Sequence, residues 1–323
     1  MSESHQISAI IATLGRPESL VRCLESLTKQ TVSVNEVVVV HCGKDEETES
    51  VTSNECWKAA GMHVRYYSHP EQNCAAQRNL AIELATYDNL LLVDDDVEVD
   101  SGWVEELFKP IWKDPNVGAT MGNLLNQPMS APTPFWRAYR ILLHGKSRGL
   151  KPGLLVGAAL PNGFPSDAKD VIPCEWVGGG ASAIRREAFR SVGGFASFFK
   201  GSSPGEDLDL GYRLSRKWKV FYVPTATCIH HQSKAARESS DQHQYLSMRS
   251  RFAILSVSMS KGRLKSIGHV ALWAFVQGLS ELAALRRGVL RSDLPDAWLG
   301  RLRGLMSCFF WHPENMSQLK TEK

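Results

Sequence analysis

Three consecutive aspartates, Asp94, Asp95 and Asp96, follow directly on the apolar run Asn89-Leu-Leu-Leu-Val93. The run is too short for an ordinary helix and has the length of a central strand. The carboxylates therefore emerge at the carboxyl edge of a sheet, where open α/β sheets bind their ligands. Carboxylates crowded at the end of a buried strand repel one another unless a cation shares them, which points to a metal and diphosphate site. Glu98 and Asp100 add to the charge. The plain alternative is a solvated acidic turn capping the helix that begins near Ser101.

The segments before the cluster repeat a strand, turn and helix unit. Residues 7–12 read as a strand, followed by Thr13-Leu-Gly-Arg16 and then Pro17, which suits the first turn of a helix carrying Leu20, Val21, Leu24 and Leu27 at helical spacing. Residues 37–40 are a second strand, an acidic segment over residues 45–50 leads into a helix ending near Ala60, and residues 64–67 make a third strand. A helix over 75–85 feeds the strand that ends at the aspartates. This alternation predicts an α/β fold with a parallel, doubly wound sheet.

Beyond a helix with Trp103, Val104, Leu107, Phe108 and Ile111 and a strand at 117–121, the regularity stops. Residues 123–170 are rich in Pro and Gly, Pro128 among them, with one amphipathic piece at 135–143. A segment that long and irregular reads as a substrate-side insertion. Order resumes at Glu175-Trp-Val-Gly-Gly-Gly-Ala-Ser-Ala-Ile184, a glycine-marked turn into a strand. Glu206-Asp207 then opens an amphipathic helix with Leu210 and Leu214.

Six segments occur in a telling order: Ile10-Ile-Ala-Thr-Leu-Gly-Arg-Pro-Glu-Ser-Leu20, Gln77-Arg-Asn-Leu-Ala81, Leu92-Val-Asp-Asp-Asp96, Gly178-Gly-Gly-Ala-Ser-Ala-Ile184, Gly205-Glu-Asp-Leu-Asp-Leu-Gly-Tyr-Arg213 and Ile229-His-His231. Over about residues 7–235 this series resembles the family 2 glycosyltransferases of bacterial polysaccharide synthesis, inverting enzymes of the GT-A fold. The resemblance implies a Rossmann-like, mostly parallel sheet flanked by helices. It also implies a nucleotide-sugar donor, a divalent cation (Mg2+ or Mn2+), and displacement at the anomeric carbon by a deprotonated acceptor hydroxyl.

Under that resemblance Asp94, Asp95 and Asp96 hold the cation and donor, in more than one register of the family's Asp-x-Asp motif; in one, Asp94 faces the ribose and Asp96 the metal. Asp207 corresponds to the family's general base, with Glu206 beside it as a second catalytic carboxylate or an acceptor ligand. A helix N-terminus stabilises acidic side chains in any case, so a purely structural role for the pair stands as the alternative. His230 corresponds to a position near metal and diphosphate, whereas His231 reads as structural. Thr13, Arg16 and Arg78 lie in regions that touch the nucleotide, Arg78 otherwise being a surface ion pair. Gly179 and Gly180 leave room for a sugar ring, or make a tight turn. One departure is His41-Cys42-Gly43, where family members often carry an acidic or amide residue reading the base; Asp45 is the nearest substitute.

Charge is unevenly spread: residues 232–323 hold 14 Lys and Arg against 7 Asp and Glu, although the net charge of the 323 residues is only +3. With no basic stripe interleaved with aromatics in the body, an anionic membrane surface is a better partner than nucleic acid. Residues 252–259 and 267–279 are apolar, each shorter than the roughly 20 residues that span a bilayer. They read as interfacial helices with Trp273, Trp298 and Trp311 as headgroup anchors, or as helices packed on the body or a subunit. The division expected is a GT-A unit over 1–240, holding all donor residues before position 235, and a helical basic extension over 241–323. Such a tail suits a glycan or polyprenyl-diphosphate-linked acceptor.

Seven scattered cysteines without metal spacing, and an N-terminus without the features of a signal peptide, suggest a reducing, cytoplasmic setting with peripheral membrane contact. Two rivals share parts of the pattern: a catalytically silent carbohydrate- or nucleotide-binding relative, and a sugar-phosphate nucleotidyltransferase. Thr13-Leu-Gly-Arg16 is sparse for the phosphate loop of the latter.

Overall fold

The computed structural model describes residues 5–127, 132–232, 238–289 and 292–313; Pro128 of the insertion and the last residues of the family-like stretch, 233–235, lie outside them. The first half alternates as expected: β1 (Ile7–Thr13), α1 (Pro17–Thr28), β2 (Glu36–Cys42), α2 (Glu46–Thr52), α3 (Glu55–Ala59), β3 (His63–His69), α4 (Cys74–Leu84), β4 (Asn89–Val93), β5 (Val97–Val99), α5 (Trp103–Lys113) and β6 (Val117–Leu124). The single helix expected before Ala60 is two. The acidic segment is itself helical, because Asp45 caps α2 by accepting from Thr48 N–H at 3.0 Å, and Asn54 restarts the chain by accepting from Cys56 N–H at 3.0 Å.

The insertion holds α6 (Pro134–Gly149) and the short strands β7 (Leu155–Val156), β8 (Leu160–Pro161) and β9 (Ile172–Pro173). There follow β10 (Ala181–Arg185), α7 (Arg186–Ser191), α8 (Glu206–Ser215), β11 (Lys219–His230) and α9 (Ser240–Ala253), which ends in a π turn at Ile254–Ser258. The last helices are α10 (Arg263–Arg286) and α11 (Leu294–Ser307).

The main sheet runs β3-β2-β1-β4-β10-β6-β11-β5, with β9 on β11. Strands β1 to β4 pair in parallel, as does β6 with β11, but β10 is antiparallel to both neighbours and β5 is antiparallel to β11. The sheet is therefore mostly parallel rather than uniformly so. The long insertion returns the chain to the carboxyl edge, so β10 enters from the edge where the aspartates sit and runs backwards between β4 and β6.

Both faces are covered, which is why the strands read as unbroken apolar runs. Ile7, Ala9 and Ile11 of β1 and Leu91 and Val93 of β4 face the layer of α1 and α5; Ile10, Leu90 and Leu92 face α4, α7 and α8. A third cluster joins the C-terminal helices to the insertion, with Phe252, Val270, Trp273 and Cys308 packed around Tyr139 and Ala158. This revises the interfacial reading of residues 252–259: Phe252, Ala253, Ile254 and Leu255 are buried in protein. Trp273, expected at a lipid headgroup, is buried under the guanidinium of Arg251, 4.4 Å from its ring centre. Residues 267–279 belong to one 24-residue helix that is long and apolar enough to cross a membrane by length and composition, with 28% of its most apolar window buried.

Candidate functional site

Strand register brings the acidic cluster its partners. In the parallel β1–β4 pair Ile10 lies beside Leu92, so three residues further on Thr13 meets Asp95, donating its hydroxyl proton to Asp95 Oδ2 at 2.5 Å. Arg16, on the following turn, reaches Asp95 Oδ1 at 3.2 Å and Asp96 Oδ2 at 3.7 Å. The antiparallel β5–β11 pair sets His230 opposite Val97, and His230 Nε2 then lies 2.9 Å from Asp96 Oδ1. Its Nδ1 is 2.9 Å from the Gln127 amide nitrogen. That contact holds the ring beside Asp96.

The ligand atoms of Asp94, Asp96 and His230 all lie within 4.8 Å of one another. Two carboxylates and an imidazole form a set that suits Mn2+, and the two carboxylates alone suit Mg2+. Asp95 is turned the other way, buried against Thr13 and Arg16. Burial raises its carboxyl to about 6, against the pull of Arg16 and Thr13.

On the opposite wall a single guanidinium ties two elements together. Arg78 donates to Asp94 Oδ1 at 2.6 Å and to Glu206 Oε1 at 2.5 Å. It is 3% exposed, so it is a buried bridge and not a surface ion pair. Burial, with the Asp207 charge next, raises Glu206 to about 8 although Arg78 opposes it. Asp207 is held by two backbone donors, Gly179 N–H at 3.2 Å and Leu208 N–H at 2.7 Å. Burial nonetheless raises its carboxyl above the ordinary value, and a raised value gives a carboxylate the proton affinity a base needs.

The glycines have a reason the sequence did not disclose. Asp94 N–H donates to Gly180 O at 3.2 Å across the β4–β10 pair. A Cβ on Gly180 would lie 2.1 Å from Asp94 Oδ2, and one on Gly179 2.8 Å from Arg78 Nη1. The space these residues leave is filled by the site's own side chains, where a sugar ring was expected.

A cleft of about 740 Å3 joins these parts, lined by Thr13, Arg16, Arg78, the three aspartates, Glu206 and His230. Asp207 and the three glycines are not among its lining residues. The cleft wall is completed by Glu238, Ser240, His243, Gln244 and Asp293, so not every wall residue lies before position 235. Sequence reasoning missed these five. The one signal was Ser239, which accepts from Gln242 N–H at 3.3 Å and marks where α9 begins, but nothing local shows that the helix faces the cleft. Glu238 fastens α9 to the loop before Glu206 by accepting from Ser202 N–H at 2.9 Å.

Other acidic and imidazole groups stay apart. His41 accepts from Gly15 N–H at 2.9 Å and, through Nδ1, donates to Gly43 O at 3.2 Å, fixing the turn after β1. Asp45 serves as the α2 cap. His231 pairs with Glu98 at 2.9 Å on the outer strand, and Asp100 accepts from Thr227. Asp209 is fully buried against Arg213, at 2.6 Å, and Ser258.

Known proteins resemble this chain in sequence and in fold. Residues 8–193 match the family model of glycosyl transferase family 2. The O-antigen biosynthesis protein RfbC of Myxococcus xanthus is 26% identical over 247 residues, covering 72% of this chain and 18% of that protein. The N-acetylglucosaminyl-diphospho-decaprenol L-rhamnosyltransferase of Mycobacterium tuberculosis is 26% identical over 159 residues, 48% of this chain and 51% of that one. The chain thus spans about half, or less, of these relatives.

Among solved structures, GalNAc-T7 with UDP, GalNAc and Mn2+ superposes with a TM-score of 0.59 at 18% identity, over 80% of this chain and 48% of that one. The mannosyltransferase PcManGT from Pyrobaculum calidifontis, in complex with GDP-Man and Mn2+, gives 0.55 at 14% identity, over 95% and 87%. These likenesses identify the fold as GT-A.

Proposed function

Since the chain belongs to glycosyl transferase family 2, we propose that it moves a sugar, with inversion, from a nucleoside-diphosphate donor to a hydroxyl of a glycan or polyprenyl-diphosphate-linked acceptor. The observation that carries this reading is the meeting of Asp94, Asp96 and His230 on a cleft that Arg16 and Arg78 also line. Two cationic side chains beside a carboxylate cluster suit a ligand that is itself anionic and carries a divalent cation.

A cation held by Asp94, Asp96 and His230 would neutralise the charge that develops on the leaving diphosphate. Thr13, Arg16 and Asp95 shape the floor under the nucleotide. Arg78 fixes Asp94 and Glu206 at a set separation, while Gly179 leaves room for Arg78 and Gly180 for Asp94. Asp207 takes the proton from the acceptor hydroxyl as that oxygen attacks the anomeric carbon, on the face opposite the departing diphosphate. Glu206 orients the acceptor beside it.

The rhamnosyltransferase relative is named for a decaprenyl-diphosphate acceptor, which supports a lipid-linked acceptor and a peripheral position on the cytoplasmic face of the membrane. In the same reading residues 1–240 form the GT-A unit and 241–323 the helical extension that walls the cleft. The test is release of nucleoside diphosphate from a panel of nucleotide sugars with Mn2+ or Mg2+ present. At least one donor should be turned over, and Asp207→Asn should slow that turnover about 10²–10⁴-fold; a chain inert to every donor, with and without lipid-linked acceptor, would overturn the proposal.

A further inference from the structure

The helix α11 has two unlike faces. Its inner face, with Ala297, Gly300, Gly304 and Cys308, is buried. Gly300 and Gly304 lie tight against α9, where a Cβ on Gly300 would sit 2.1 Å from Asp241 O. The outer face carries Leu299, Leu302 and Met306 at helical spacing, 51%, 57% and 58% exposed, with the exposed Arg303 at its edge, and the turn after the helix adds Phe309 and Phe310 at 53% and 81%. Arg263 donates to Cys308 O at 2.8 Å and Trp311 O at 3.2 Å, which brings Leu264, 81% exposed, to the same end.

Scattered exposed apolar residues need no explanation, but a contiguous stripe of large ones does. We propose that this outer face of α11, with the start of α10, docks on an anionic lipid membrane. The charge around it selects that occupant: Lys265 stands exposed beside Leu264, and Arg286 and Arg287 are exposed at the far end of α10. Such flanking cations reach headgroups while the apolar face enters the acyl boundary. In a symmetric contact between two copies the same basic rim would face itself.

Crossing the bilayer would require α10 to leave partners it holds in the fold. Its Glu281 pairs with Arg301 at 2.6 Å, both side chains under 10% exposed, and accepts from Trp298 Nε1 at 2.7 Å. Lying flat keeps that pair intact. The inference deepens the membrane setting proposed above by naming the surface, and vesicle binding is read without donor, so the two can fail separately.

The test is flotation of the full chain with vesicles of phosphatidylcholine alone or mixed with phosphatidylglycerol. The wild type should float with the anionic vesicles, less so in high salt. The exposed-face variant Leu302→Ser/Met306→Ser/Phe310→Ser should bind roughly tenfold less, with an unchanged melting temperature and unchanged transfer to a water-soluble acceptor. The proposal is overturned if the variant floats like the wild type. It is equally overturned if the wild type ignores vesicles and instead forms a dimer that the variant splits.

Discussion

Gly180 and Asp94 face each other across the β4–β10 pair so closely that a Cβ on the glycine would lie 2.1 Å from the carboxylate oxygen Oδ2. Gly180→Ala must therefore push Asp94 out of the group it forms with Asp96 and His230. Metal affinity should fall roughly 10–100-fold, the range seen when a supporting contact to a ligand is lost. The neighbouring Gly178 is the control: its Cβ would meet Met121 Cε at 3.8 Å, an ordinary contact, and Gly178→Ala should bind Mn2+ like the wild type. Calorimetric titration of both variants checks the contrast.

Arg78 bridges two carboxylates, with side-chain exposures of 4% for Arg78 and 9% for Glu206. Above about pH 8, where Glu206 is ionised, removing the cation leaves its buried carboxylate uncompensated, so Arg78→Met should there destabilise the fold by about 3–5 kcal/mol. Arg78→Lys should recover only part of that, since an ammonium cannot fork between two carboxylates. Urea denaturation of the three chains measures it.

The burial of Glu206 makes stability depend on pH, against the pull of Arg78. Burial raises Glu206 from its ordinary 4.5 to about 8, so the folded chain keeps a proton that the unfolded chain releases. The stability this contributes is whole below about 4.5 and is lost as pH rises toward 8. Glu206→Gln removes the titration. In metal-free buffer its melting temperature should therefore gain on that of the wild type between about pH 5 and about pH 8; a gap that does not change with pH contradicts the assignment.

Asp207→Asn keeps the shape and one of the two backbone contacts, since Gly179 N–H and Leu208 N–H reach different carboxylate oxygens and an amide offers only one acceptor, but it no longer takes a proton. Donor binding should persist while sugar transfer falls about 10²–10⁴-fold. Near-normal transfer would place the base elsewhere, and Asp209 is a poor successor because Arg213 and Ser258 already occupy its carboxylate.

The strands and the acidic edge were legible because their signals are local. Apolar runs such as Asn89–Val93, Pro17 at a helix start and Asp94 to Asp96 at a strand end each carry their meaning within a few residues. What stayed hidden depends on distant pairing. The reversal of β10 follows from where a long insertion returns, and only that reversal explains why Gly179 and Gly180 must lack side chains. His230 meets Asp96 through a β5–β11 register that no spacing encodes. The wall formed by Glu238, Ser240, His243, Gln244 and Asp293 was missed for the same reason: α9 and α11 look like surface helices until their packing is known. The apolar segment at 252–259 looked interfacial because its protein partners, such as Tyr139 and Ala158, lie about a hundred residues away in sequence.

The central claim is that Asp94, Asp96 and His230 hold a nucleoside diphosphate through a divalent cation. Its most direct measurement is calorimetric titration of the wild-type chain with UDP, GDP and dTDP, in Mn2+ and again in EDTA, repeated with Asp96→Ala. The account predicts binding of at least one nucleotide in Mn2+ that disappears in EDTA and in the variant. Full affinity in EDTA, or in Asp96→Ala, would contradict it.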